Sequence, residues 1–186
     1  MDSDGSSTVA LTVASPLWRG AFDALDPLVE RIVQAVVEMA AVEPWVKAGE
    51  VSLLLTDDQE IRSLNASYRA RNRVTNVLSF PSLDLVEGGA ITQPASGPIL
   101  LGDVAISFER LSAEASDQEK ALTDHLAHLL VHGTLHLLGY DHDDDGRAAV
   151  MEGLEASILL SLGFAAPYAS SAEEGGMSAG PMSVTT

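Results

Sequence analysis

All five histidines of this 186-residue chain lie between His125 and His142, and that crowding constrains the fold more than any other feature. His132 and His136 stand four residues apart in an apolar run whose stripe (Leu126, Leu129, Leu130) has helical spacing. Their imidazoles therefore share one helix face, one turn apart, which suits chelation of a single ion. Gly139 ends the helix and lets the chain turn back. His142, three residues later, can return to the same point in space. Two helical histidines, a glycine turn and a third histidine form the spacing by which metzincin proteases bind zinc.

The ligand set narrows the chemistry. The chain has no cysteine, so disulfides and thiolate metal sites are excluded. Three neutral imidazoles favour one Zn²⁺ ion, with nickel, copper and iron as chemically allowed substitutes. Three protein ligands leave a fourth tetrahedral position for water, the mark of a catalytic site. Zinc-bound water has its pKa lowered to about 7. His125 and His128 read as packing residues or supports of the ligands. Zincin proteases place a glutamate general base directly after the first histidine. Here that position is Gly133. Without the base, peptide hydrolysis loses about 10² to 10⁴ in rate. Phosphodiester cleavage can rely instead on a metal and an arginine to stabilise charge on nonbridging oxygens.

Charge at first argues against a polyanionic partner. Ten Lys and Arg stand against 27 Asp and Glu, a net charge of −17, and nucleic-acid binding normally relies on cations that displace counterions. The distribution matters more than the sum. From Ile61 to Leu83 there is no acid, and Arg62, Arg69, Arg71 and Arg73 all fall there. Asp143, Asp144 and Asp145 read as a solvated acidic turn, with a second cation as the sharper alternative.

The spacing of apolar residues predicts strands at 9–13, 51–55, 76–80 and 100–106. Helices are expected at 27–42, from Thr56 to about Arg69, at 107–115, from a capping box at Ser116-Asp-Gln-Glu119 to Gly139, and at 147–162. Three glycines and two prolines make 84–98 a surface loop. The fold class is α+β: one domain, a small mixed four-stranded sheet flanked by helices, with a zincin-like metal helix. Residues 1–8 are expected to be a disordered start, 9–164 the folded domain, and 165–186, rich in Ser, Ala and Gly, a disordered tail. Neither a signal peptide nor a membrane span is evident, which points to the cytoplasm.

Three strings carry a family resemblance. His132-Gly-Thr-Leu-His-Leu-Leu-Gly-Tyr-Asp-His142 is the most specific; Leu64-Asn-Ala-Ser-Tyr-Arg69 with Thr75-Asn-Val-Leu-Ser-Phe-Pro81, and Leu101-Gly-Asp-Val-Ala-Ile-Ser107, support it. Together they resemble the YbeY family of rRNA-maturation endoribonucleases. The resemblance implies a zinc-dependent, single-strand-specific endoribonuclease acting in 16S rRNA 3′-end processing and ribosome quality control. It implies His132, His136 and His142 as metal ligands, with Arg69 and His132 as the catalytic pair. Arg69 engages the substrate, and Arg71 and Arg73 attract the flanking backbone. Asn76 stands where many relatives have Asp and is assigned no catalytic role. RNA is the expected partner, with ribosomal proteins or an assembly GTPase as further candidates and DNA not expected. Two other readings stay open: a non-catalytic ribosome-assembly factor with a structural zinc, and a zinc metalloprotease.

Overall fold

The strand Thr8–Val13 (β1) opens the sheet in the computed structural model, which describes residues 6–90, 97–165 and 167. Glu50–Thr56 (β2) alternates as a half-buried strand should: Val51, Leu53 and Leu55 enter the core while Ser52 and Leu54 face the other side. Val77–Pro81 (β3) and Leu100–Ser107 (β6) complete a four-stranded sheet in the order β1-β2-β6-β3. The first three strands in that order run parallel, and β3 is antiparallel to β6, from Val77 opposite Ile106 to Pro81 opposite Gly102. This is the mixed sheet expected of an α+β domain.

Helices Pro16–Ala21 (α1), Leu25–Ala40 (α2) and Pro44–Lys47 (α3) connect β1 to β2. Asp58–Arg69 (α4) follows β2, Phe108–Asp117 (α5) follows β6, and Leu122–Leu137 (α6) and Asp145–Ser161 (α7) end the fold. Helix α6 is apolar almost all round because it is enclosed: Leu126, Ala127, Leu130, Val131, Leu135 and Leu137 are fully buried. It packs on β3 and β6 and against α2, α5 and α7. The opposite sheet face carries α4 and a small cluster of Ile61, Leu78 and Ala105.

Several boundaries differ from expectation for local reasons. Helix α4 is capped by Asp57, whose carboxylate accepts from the Glu60 N–H at 2.9 Å, and Thr56 bonds the Glu60 side chain. The Ser116–Glu119 string caps no N-terminus. It closes α5, with Glu119 left-handed at φ 52° and the Lys120 N–H returning to the Ala115 carbonyl. Helix α6 starts at Leu122 behind Ala121, which offers no side-chain cap. The 84–98 segment contains a hairpin, Leu85–Val86 (β4) paired with Gly89–Ala90 (β5). The sheet begins at Thr8, and Ser7 is already buried. The expectations for residues 1–5, and for the tail at 166 and 168–186, lie outside the described residues, as do 91–96 of the loop. No helix among the described residues is long and apolar enough to cross a membrane.

Candidate metal centre

The C-terminal half of α6 turns His132 and His136 toward one cavity. His132 Nδ1 sits 2.6 Å from Glu155 Oε1 on α7, and Glu155 is 1% exposed. His136 Nδ1 lies 3.0 Å from the Tyr140 carbonyl, which can only accept. In both rings the proton is thus held at Nδ1 and the Nε2 lone pair is free to bind. The two Nε2 atoms are 3.1 Å apart. Two lone pairs facing at that distance repel unless a cation lies between them. Ligands on a tetrahedral ion at about 2.0–2.1 Å stand roughly 3.3 Å from each other, so the pair fits a metal. His142 completes the group, with ring centroids 5.6 Å from His132 and 5.1 Å from His136. One nitrogen of each ring lies within 4.8 Å of the others, a geometry able to hold an ion.

The turn that delivers His142 is clamped. Gly139 has φ +82°, and a Cβ there would lie 2.0 Å from the Leu85 carbonyl oxygen, so the β4–β5 hairpin packs directly on the turn. The hairpin's Gly88 meets the Ala40 carbonyl just as closely, and its N–H donates to Leu138. Tyr140 is buried and its hydroxyl donates to the Ala40 carbonyl at 2.9 Å, pinning the turn to the end of α2. Burial pushes the His136 pKa down to about 4, with the neighbouring His132 and His142 adding to the shift against the Tyr140 carbonyl. The ring is therefore neutral at pH 7, as a metal ligand must be.

The three histidines open on a cavity of about 720 Å³ that also receives Arg69, Arg71 and Arg147. Arg69 ends α4. One guanidinium nitrogen donates to the Ser79 carbonyl at 2.9 Å, and its Cζ lies 5.8 Å from the Phe80 ring centroid. Ala70 then adopts a left-handed conformation, φ 55°, and reverses the chain. Buried Asn65 ties the loop: its carbonyl accepts from the Arg71 N–H and its side-chain amide donates to the Arg73 carbonyl. Among the described residues, none of Arg69, Arg71 and Arg73 pairs with a carboxylate. Arg73 does not line the histidine cavity. It lies in a more open depression with Arg71 and Asn72, and its N–H donates to the Arg71 carbonyl.

The family model described as Endoribonuclease YbeY matches residues 21–163. The chain belongs to the YbeY endoribonuclease family. Curated relatives named Endoribonuclease YbeY include one from Paramagnetospirillum magneticum, 42% identical over 86% of this chain and 94% of its own. Others are from Rhizobium meliloti, 45% identical over 78% and 86%, and Ruegeria pomeroyi, 42% identical over 87% and 98%. The solution structure of TM1509 from Thermotoga maritima aligns at 17% identity and a TM-score of 0.48 over 84% of this chain and 90% of that one.

Within the YbeY family frame, Gly133 has a structural reason. A Cβ there would lie 2.9 Å from Val104 Cγ1 and 3.1 Å from Val77 Cγ2, and Ser79 Oγ donates to the Gly133 carbonyl. This position faces the sheet, so a glutamate placed here would meet β3 and β6 rather than a bound water. That disfavours the protease chemistry. Asp144 caps α7 by accepting from the Arg147 N–H, which accounts for it within the acidic turn. Among the described residues, Asp143, Asp144 and Asp145 form no metal-binding group. Asn76 is half-buried and lines the histidine cavity; its side chain accepts from the Val77 N–H and donates to Glu114, which also meets His125 Nε2 at 2.8 Å.

Two cavity-related residues were missed from sequence. Glu155 continues the buried stripe Met151, Ile158, Leu159 of α7, and an acid on an apolar stripe was the available signal. Arg147 enters the cavity from the first turn of α7 and lies 3.5 Å from Asp144. No local pattern marked it.

Proposed function

We propose that the protein is a zinc-dependent, single-strand-specific endoribonuclease of 16S rRNA 3′-end maturation and ribosome quality control, working in the cytoplasm. The observation that carries this reading is the meeting of three imidazoles and an arginine without a carboxylate partner in one open cavity. His132, His136 and His142 would hold the ion, which supplies Lewis acidity and a more acidic bound water. Zinc is favoured by an all-imidazole set with a position left open to the cavity. The Glu155 carboxylate and the Tyr140 carbonyl fix the two helical rings so that Nε2 faces the ion. Arg69 is held by Ser79 at the cavity wall and pairs with the scissile phosphate as its charge grows. Arg71 lies beside it, and Arg73 guides the strand outside the cavity. The acidic remainder of the surface suits contact with ribosomal proteins or an assembly GTPase.

The test is cleavage of a single-stranded RNA by highly purified protein. Activity should fall by about 10²–10³ in Arg69→Ala and vanish in His132→Ala, and should vanish on chelation and return with zinc. Cleavage that persists in both variants would assign it to a contaminant and favour an assembly factor with a structural metal.

A further inference from the structure

On the sheet face opposite the histidine helix, the surface that carries α4 is only partly covered. A groove of about 450 Å³ remains, lined by Leu54, Leu64, Tyr68, Phe80, Asp103 and Ala105. Tyr68 is 72% exposed, so folding gains little from its ring. Yet it stands 5.3 Å from the Phe80 ring, tilted at 59°, and Phe80 in turn meets the Arg69 guanidinium. Tyr68 and Arg69 are neighbours in the last turn of α4, one reaching this groove and the other the histidine cavity. Phe80 lines the groove and meets Arg69, and its strand neighbours Ser79 and Pro81 line the histidine cavity.

We propose that Tyr68 and Phe80 form a stacking platform for one unpaired base of the strand whose phosphate Arg69 holds. The proposal rests on the endoribonuclease reading and deepens it. A nucleotide presents a charged phosphate and a flat, apolar base face a short distance apart. Here the Arg69 guanidinium lies 5.8 Å from the half-buried Phe80 ring, and exposed Tyr68 lies against the same ring. Charge sorts the two ends: Arg69 and Arg71 draw the phosphates, while Asp103 in the groove repels them. The Asp103 carboxylate and Ser52, also on the groove wall, are left to meet the polar edge of the base. Base stacking on aromatic side chains tolerates any sequence and needs a base free of its duplex. The platform therefore gives a physical origin for a single-strand preference.

The experiment measures binding of the full-length, zinc-loaded protein to a labelled 2′-O-methyl uridine oligomer, shown by gel to stay intact over the measurement. A second oligomer has the same backbone and abasic sites. The wild type should bind the base-bearing oligomer more tightly. Tyr68→Ala should weaken that binding roughly five- to hundredfold and leave the abasic oligomer unchanged. Tyr68→Phe should restore the difference. The proposal is overturned if Tyr68→Ala binds both oligomers as the wild type does while Arg69→Ala still weakens both. That outcome would leave the endoribonuclease reading standing and give the aromatic pair to another partner, such as a protein. Failure of the wild type to bind either oligomer would overturn both.

Discussion

Replacing Glu155 by glutamine would separate metal affinity from the stability of the metal-free fold. The carboxylate is 1% exposed, with His132 Nδ1 at 2.6 Å from one oxygen and His128 Nε2 at 3.5 Å from the other. Its charge strengthens the bond to the Nδ1–H and raises the basicity of the metal-facing nitrogen. A glutamine keeps the shape and loses the charge. Removing such a partner weakens metal binding by about 10–100-fold, or about 1.4–2.8 kcal/mol. The metal-free protein responds differently, because burying a neutral amide is less unfavourable than burying a carboxylate. Its stability should hold or rise. With free zinc at about a thousand times the wild-type Kd, zinc adds about 4.1 kcal/mol to folding; a tenfold loss of affinity reduces this to about 2.7, and a hundredfold loss to about 1.4. Competition against a chromophoric chelator would give the affinity, and urea melts with and without zinc would give the linkage. An unchanged zinc affinity in Glu155→Gln would refute the assignment of Glu155 as the residue that orients His132.

Arg69→Ala should lower RNA cleavage by about 10²–10³ while leaving bound zinc per chain unchanged by mass spectrometry; a parallel loss of metal would show that the arginine acts through the fold. Gly133→Ala should destabilise the protein by about 1–3 kcal/mol in urea, because its Cβ would lie 2.9 Å from Val104 Cγ1; a neutral effect would show that β6 yields easily. Burial holds the His125 pKa below its ordinary value, against the pull of Glu114. As pH falls through about 6.5 the unfolded chain therefore takes up a proton that the folded chain resists, so this group lowers stability as pH falls and contributes little slope well above that pH. His125→Gln should flatten the fall in stability between about pH 7 and 5, read as the difference between paired urea melts; identical slopes would contradict it.

The metal helix was legible because its signal is local: the i, i+4 pair and the glycine turn need no knowledge of the rest of the chain. Arg69, Arg71 and Arg73 were legible as a charge pattern, but the course of the loop that carries the last two depends on Asn65 reaching across the turn. Long-range partners were not legible. Glu155 meets His132 only because α7 packs back on α6, and Tyr140 holds its turn by bonding to α2, a hundred residues earlier. The hairpin at 85–90 has two-residue strands, too short for alternation to register, and its Glu87-Gly88 turn lacks the usual Asn or Asp. The Ser116–Glu119 string shows how a capping pattern misleads when a helix ends in a left-handed glutamate rather than a glycine.

X-ray absorption at the zinc edge on the full-length protein tests the central claim most directly. The account predicts three imidazole nitrogens and one solvent oxygen at about 2.0–2.1 Å, with one imidazole lost in His142→Ala. A shell holding fewer than three imidazoles, or one unchanged by His142→Ala, would contradict it.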